Sequence, residues 1–125
     1  MLKNKNILIV EDDPDGRDMV QMMLQSAGVH PVAVGSGEEA LAELRAAPGH
    51  YQLAIVDLAL PEMDGIELLS HIRADASLAQ IPLVAVTAYH TPELKVRVMD
   101  AGFDSYFAKP LDTTQLVRAL ERLLN

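Results

Sequence analysis

Five short apolar runs recur along the chain, and a segment of helical periodicity follows each one. The first four are Ile7–Val10, Val32–Val34, Leu53–Val56 and Leu83–Val86, and the fifth predicted strand is Ser105–Ala108, in which a serine precedes the apolar residues. Continuous apolar runs of this length are typical of strands that are buried on both faces of a parallel sheet. Pro31 stands at the start of the second run and predicts an edge strand, because proline has no N–H to donate to a central ladder.

Start and stop signals bound the helical segment that follows each run. Asp13-Pro14 and Thr91-Pro92 each place an N-cap residue before a proline in the first helical turn. Gly28 predicts the end of the first helix, and Gly102 predicts the end of the fourth. The second of the five helices extends to about Ala47. The other three helices are predicted from capping-box spacing at Ser36/Glu39, Asp64/Glu67 and Asp112/Gln115. The last helix has an apolar stripe, formed by Leu116, Val117, Leu120, Leu123 and Leu124.

This alternation of strands and helices predicts an α/β fold. Short connections between the elements favour a parallel sheet with helices on both faces, joined by right-handed crossovers. The length of 125 residues suits one domain, and we predict a single domain over residues 1–125 with its core at about 6–124. We interpret Met19, Met22 and Met23 as core filler rather than a recognition surface.

Composition narrows the classes of partner and compartment. The formal net charge of −8 argues against direct nucleic-acid binding, although an acidic balance can also serve solubility alone. The chain has no cysteine, which excludes disulfides and thiolate metal sites and fits a cytoplasmic protein. No apolar run approaches the ~20 residues needed to span a bilayer, so we predict no membrane association. The histidines show no metal-ligand spacing, and we assign no role to His90.

Polar and charged residues stand just after four of the predicted strands. Glu11 and Asp12 follow the first strand, Asp57 follows the third, Thr87 the fourth and Lys109 the fifth. Any one of them alone would be typical of a helix cap or a solvated loop charge. Because the carboxyl ends of parallel strands share one edge of the sheet, where ligands bind, we expect the whole set to converge.

Charge repulsion then indicates what this edge must hold. Two like charges ~4 Å apart repel by about 4 kcal/mol at an effective dielectric constant near 20. Lys109 offsets part of the charge of Glu11, Asp12 and Asp57, and Mg²⁺ with oxygen ligands would offset the rest. An aspartate carboxylate can also attack phosphorus to give an acyl phosphate, while a metal ion and an ammonium group offset charge on the transferring oxygens.

The segments that carry these residues resemble the receiver domain of two-component response regulators, of the chemotaxis-regulator type. The segments are Ile7–Asp13, Val56–Gly65, Val86–Ala88 and Phe107–Pro110. The specific feature is a D-x-x-x-P-x-x-D-G segment combined with the spaced threonine and Lys-Pro. The resemblance extends from about Asn6 to Leu124. It implies a flavodoxin-like, doubly wound (βα)₅ three-layer sandwich with strand order 2-1-3-4-5.

The resemblance also implies a phosphoacceptor and a metal site. Asp57 would receive a phosphoryl group from a phosphohistidine on a sensor histidine kinase or phosphotransfer protein. Mg²⁺ would be held by Glu11, Asp12, Asp57 and the backbone carbonyl of Ala59, with Asp12 the more direct ligand of the acid pair. The domain would not be an enzyme in the usual sense, although it would promote its own phosphorylation and dephosphorylation.

Three further residues would act on the phosphorylated state. By the resemblance, Thr87 would donate to the phosphoryl group and Lys109 would pair with it. Tyr106 stands at the switch aromatic position and would turn inward as Thr87 moves. The surface of helix 4, strand 5 and helix 5 would then signal to an unknown downstream protein, and a homodimer through this surface is a further option. The Lys109-Pro110 bond is expected to be cis, as in many relatives.

The sequence departs from the family pattern at three places. The acid pair is Glu11-Asp12 rather than the commoner Asp-Asp, which should preserve function. Ala59 offers no side chain to orient a hydrolytic water, and Tyr89 is bulky enough to shield the phosphoryl group. We therefore hypothesise slow self-dephosphorylation.

Other functions fit the sequence less well. A receiver-like interaction module that is never phosphorylated usually lacks one acid or the lysine, and none is missing here. An aspartyl-phosphate hydrolase normally has a second aspartate where Ala59 stands. A calcium-binding loop starting at Glu11 would have Met22 in place of its bidentate glutamate. A flavodoxin would need a phosphate loop rich in glycine, serine and threonine after the first strand.

Overall fold

A computed structural model describes residues 2–124, and in this range five strands alternate with five helices. The strands are β1 (Asn6–Val10), β2 (His30–Val34), β3 (Leu53–Asp57), β4 (Leu83–Thr87) and β5 (Ser105–Ala108). The helices are α1 (Pro14–Ser26), α2 (Gly37–Ala46), α3 (Gly65–Ala74), α4 (Pro92–Ala101) and α5 (Thr113–Leu124). The predicted alternation is confirmed.

The strands form one parallel sheet in the order β2-β1-β3-β4-β5. β2 lies at an edge, as Pro31 predicted. From β1 the chain adds β2 on one side, whereas β3, β4 and β5 follow in order on the other side. The carboxyl ends of β1 and β3 therefore form the topological switch point, where open sheets bind ligands. The flavodoxin-like, doubly wound order is confirmed.

The two faces of the sheet are covered by different helices. On β1, Leu8 and Val10 face one layer while Ile7 and Ile9 face the other, and each is at most 1% exposed. The first layer contains buried residues of α2, α3 and α4, and the second contains those of α1 and α5. This alternation buries both faces of the central strands, which explains their continuous apolar runs.

Side-chain caps start the helices immediately beyond the strands. Each predicted cap oxygen accepts a backbone N–H of the first turn, and the cap residues are Asp13, Ser36, Asp64, Thr91 and Asp112. These bonds satisfy N–H groups that have no partner within the helix. Within residues 2–124, no helix has both the length and the apolar content that crossing a bilayer requires.

The interpretation of the α1 methionines as core filler is wrong for two of the three. Met19 is 55% exposed and Met22 is 69% exposed, whereas Met23 is partly buried. Val20 and Leu24 form the buried stripe of α1, because residues four positions apart share one helix face. Met19 and Met22 therefore lie at the surface.

Some element ends differ slightly from the sequence prediction. Asp57 and Thr87 are the last residues of β3 and β4 rather than the first residues after them. β2 begins at His30, two residues before the apolar run at Val32. The Lys109-Pro110 peptide bond is cis, as expected.

Candidate functional site

Three carboxylates meet at the carboxyl edge of the sheet. β1 and β3 are neighbours with Val10 opposite Val56, so Glu11 and Asp57 leave the sheet side by side. One carboxylate oxygen from each of Glu11, Asp12 and Asp57 lies within 4.8 Å of the others. Glu11 and Asp57 are buried, at 4% and 5% exposure, whereas Asp12 is exposed. The predicted convergence of these acids is confirmed.

The ammonium group of Lys109 lies between the two buried carboxylates. Its Nζ is 2.5 Å from Glu11 Oε1 and 3.0 Å from Asp57 Oδ2. Lys109 follows β5, which is separated from β3 by β4, so its side chain reaches across the end of β4. One ammonium therefore offsets the charge of two carboxylates that have little access to water.

Burial and the neighbouring charges shift two pKa values at this edge. Burial raises the pKa of Glu11 above its ordinary value, and the adjacent Asp57 raises it further against the opposing effect of Lys109. For Lys109, burial alone would lower the pKa, but hydrogen bonds to Glu11 and Asp57 outweigh it and raise the pKa. Lys109 therefore remains a cation at neutral pH.

The position of Asp57 is fixed by the segment that comes after it. Asp57 Oδ1 accepts the backbone N–H of Ala59 at 2.9 Å. Gly65, the first residue of α3, packs against the end of β3, where an added Cβ would lie 2.9 Å from Leu58 Cα and 3.0 Å from the Asp57 carbonyl oxygen. Since ordinary Cβ contacts are longer, the D-G pair of the motif allows α3 to start close to the backbone of Asp57 and Leu58.

Thr87 connects the loops on either side of β4. Its buried hydroxyl accepts the backbone N–H of Tyr89 at 3.0 Å, and its carbonyl accepts the N–H of Lys109 at 2.8 Å. Thr87, Ala59 and Tyr89 line one cavity of about 170 Å³, and Tyr89 is 73% exposed at its rim. Thr87 and Ala59 therefore share one space, next to the strand end that carries Asp57.

Tyr106 is hydrogen-bonded to His90, a residue to which we assigned no role from the sequence. The Tyr106 hydroxyl is 2.8 Å from His90 Nδ1, and the two rings lie 5.4 Å apart at a tilt of 55°. Burial raises the pKa of the Tyr106 hydroxyl. The side chain is half-buried and directed toward the exposed His90. No periodicity or spacing in the sequence marks this contact, which joins the β4–α4 loop to β5.

Two residues of α1 also support the site and were missed. A Cβ at Gly16 would lie 2.8 Å from Glu11 Oε1, so glycine leaves room for the carboxylate. Arg17 Nη1 donates to the backbone carbonyls of Glu11 and Asp12. A glycine inside a helix costs about 1 kcal/mol of helix stability relative to alanine. The presence of glycine at position 16, despite this cost, is the sequence feature that could have indicated that another group packs closely against the helix.

The donor set fits a magnesium ion. Glu11, Asp12 and Asp57 place one carboxylate oxygen each close enough to bind the same ion. With Lys109 charged and all three acids ionised, these four residues carry a net charge of −2. Hard oxygen ligands of this kind suit Mg²⁺, which typically takes one or two carboxylates and fills its remaining positions with water and phosphate.

Known proteins are similar to this chain in sequence and in fold. The family model of the response regulator receiver domain matches residues 7–121. The polar-differentiation response regulator DivK of Brucella abortus is 28% identical over 120 residues, which cover 96% of each chain. The receiver domain of the sensor histidine kinase PA1611 of Pseudomonas aeruginosa has a TM-score of 0.87 and 30% identity, covering 97% of this chain and 98% of that one. That structure has a magnesium ion coordinated in its active-site cleft.

A second solved structure has the same fold. The chemotaxis protein CheY4 of Vibrio cholerae has a TM-score of 0.87 and 29% identity, covering 97% of this chain and 99% of that one. The matched region includes the strand ends that carry Glu11, Asp57 and Lys109. This chain belongs to the family of response regulator receiver domains.

Proposed function

We propose that this chain is a Mg²⁺-dependent phosphoacceptor of a two-component phosphorelay, with Asp57 as the phosphorylated residue. Receiver domains are signalling modules that interact with histidine kinases and downstream targets. The phosphoryl donor would be a phosphohistidine on a sensor histidine kinase or phosphotransfer protein. The observation that carries the proposal is the meeting of Asp57 with two further carboxylates and the Lys109 ammonium.

Phosphoryl transfer would exchange one bond to phosphorus for another. An Asp57 carboxylate oxygen attacks phosphorus as the P–N bond to the donor imidazole breaks, and the bonding electron pair returns to the imidazole nitrogen. Glu11, Asp12, Asp57 and the Ala59 carbonyl would hold Mg²⁺, which when bound offsets charge on the transferring oxygens. Lys109, already 3.0 Å from Asp57 Oδ2, would move only a short way to pair with the phosphoryl group.

Phosphorylation would then alter the loops around β4 and β5. It adds roughly −1.5 to −2 charges and three strong acceptor oxygens at Asp57. The Thr87 oxygen already accepts from Tyr89 N, which leaves its hydroxyl hydrogen free to donate to the new group. Movement of Thr87 would favour an inward Tyr106, and this bias would change the surface formed by α4, β5 and α5.

Incubation with a small phosphodonor such as acetyl phosphate, with and without Mg²⁺, tests the proposal. We expect intact mass spectrometry to show the gain of one phosphoryl group only with Mg²⁺, and peptide mapping to locate it on Asp57. Asp57→Asn should remain unmodified. Absence of modification in the wild-type chain at saturating Mg²⁺ would instead favour an interaction module that is never phosphorylated. Steady release of phosphate from simple phosphate esters would favour a hydrolase.

A further inference from the structure

One guanidinium nitrogen contacts the backbone of both acids in the β1–α1 loop. Arg17, in the first turns of α1, donates from Nη1 to the carbonyl oxygen of Glu11 at 3.0 Å and to that of Asp12 at 3.1 Å. We propose that Arg17 is a positioning residue for the cation site, because it fixes the two consecutive peptide groups whose side chains supply the carboxylates. The inference rests on the proposed Mg²⁺ site and adds a residue to it.

The neighbouring β2–α2 turn provides the space for this side chain. A Cβ added at Gly35 would lie 3.0 Å from Arg17 Nη1, which is closer than ordinary van der Waals contact. The Gly35 N–H donates to Glu39 Oε2 at 2.8 Å, so the turn itself is held in place. Three segments therefore meet at the guanidinium: the β1–α1 loop, α1 and the β2–α2 turn.

Without a metal ion the three carboxylates tend to separate, because the single Lys109 ammonium offsets only part of their charge. Like charges ~4 Å apart repel by about 4 kcal/mol at an effective dielectric constant near 20, which would spread the loop. Arg17 bonds the backbone rather than the carboxylates, so it can oppose this spreading without occupying a carboxylate oxygen. Groups that hold metal ligands in place in this way typically change metal affinity by about 10- to 100-fold.

Two variants test positioning without changing the net charge. Arg17→Lys keeps the cation but replaces the rigid guanidinium, whose Nη1 bridges the two carbonyls, with an ammonium on a flexible stem. Gly35→Ala leaves Arg17 in the chain but crowds its guanidinium. Arg45→Lys is the matched control, because Arg45 lies on α2 and pairs with Asp75 rather than with the site. Calorimetric titration of the full chain with MgCl₂ gives the affinity, and thermal melting in chelator gives the metal-free stability.

We expect Arg17→Lys to weaken Mg²⁺ binding about tenfold and Gly35→Ala to weaken it less, with Arg45→Lys unchanged. A Kd for Arg17→Lys within about twofold of the Arg45→Lys value would overturn the inference, even if the melting temperature fell. Asp12→Asn separates the two proposals. If the wild-type chain binds no Mg²⁺, or if Asp12→Asn binds it equally well, both the proposed site and this inference fail. If affinity depends on Asp12 but not on Arg17, only the role of Arg17 is lost.

Discussion

At the scale of single residues, Lys109 supplies positive charge to both buried carboxylates of the site. Its ammonium contacts Glu11 and Asp57, and both of these carboxylates are almost completely buried. A buried charge without a partner is strongly destabilising, whereas a paired one costs much less. In the absence of a metal ion, the stability of the acidic edge therefore depends on this one side chain.

Replacement of Lys109 by methionine should lower the free energy of unfolding without metal by about 2 kcal/mol, because it leaves two buried carboxylates without the ammonium that pairs with them. This loss is smaller than the usual cost of breaking a buried pair, since the Lys109 side chain is partly exposed. Mg²⁺ should stabilise this variant more than it stabilises the wild-type chain, since the ion replaces the missing positive charge. Urea unfolding in chelator and in saturating Mg²⁺ measures both effects. Lys95→Met, at an exposed position of α4, is the control. Equal stability of Lys109→Met and Lys95→Met in chelator would show that the Lys109 charge does not stabilise the buried carboxylates.

Asp12 should show the opposite behaviour. It is the exposed member of the three carboxylates, and its charge repels the other two. Asp12→Asn should therefore raise the melting temperature in chelator, remove most of the stabilisation by Mg²⁺ and abolish phosphorylation. Asp18→Asn, which makes the same charge change elsewhere on α1, should do none of these. A lower melting temperature for Asp12→Asn in chelator would show that the acids do not repel one another.

At the scale of elements, the β4–α4 loop connects the site to β5. Its start is held by the Thr87 hydroxyl through Tyr89 N, and Tyr89 and His90 occupy the two positions before the α4 N-cap. His90 then bonds the Tyr106 hydroxyl. A shift of Thr87 toward a phosphoryl group would displace the same loop that holds Tyr106 outward.

Fluorine NMR of fluorotyrosine-labelled protein can follow this coupling. The chain has three tyrosines, and Tyr106→Phe assigns the relevant resonance. We expect phosphorylation to move the Tyr106 resonance in the wild-type chain but not in Thr87→Ala. His90→Ala should move the resonance part of the way without phosphorylation, because the outward hydrogen bond is lost. A resonance that is insensitive to phosphorylation would exclude Tyr106 as a switch.

The loops around the cavity also bear on the lifetime of the phosphoryl group. Ala59 has no side-chain group to orient water, and Tyr89 lies at the rim of the cavity that Ala59 and Thr87 line. We predict that the phosphoryl group is lost over minutes or longer. Mass spectrometry at intervals after removal of the phosphodonor measures this loss. Ala59→Asn and Tyr89→Ala should each accelerate it, whereas Ala42→Asn at an exposed position of α2 should not. Decay within seconds in the wild-type chain would contradict the prediction.

At the scale of the whole molecule, periodicity and topology made the sheet and its acidic edge predictable from the sequence. Apolar runs as long as Leu53–Val56 require burial on both faces, and parallel strands bring Glu11 and Asp57 to one edge whatever their separation in the chain. The strand order came from resemblance to receiver domains, and the sheet confirms it.

Contacts that depend on the path of individual side chains could not be predicted in this way. Hydrophobicity alone placed Met19 and Met22 in the core, although Val20 and Leu24 already fill the face that α1 turns to the sheet. The bond between His90 and Tyr106 joins different elements and leaves no periodic trace. Thr87 and Asp57 were assigned to loops because their polarity ended the apolar runs, although strand pairing continues through both.

Paramagnetic broadening by Mn²⁺ in place of Mg²⁺ tests most directly whether these strand ends form one cation site beside the phosphoacceptor. In backbone NMR spectra of the labelled chain, we expect the amides of Asp12, Asp57 and Ala59 to broaden first and together at low Mn²⁺ concentration, and Asp12→Asn to abolish this selectivity. Broadening centred on other surface acids, with the amides of Asp57 and Ala59 unaffected, would contradict the proposed site.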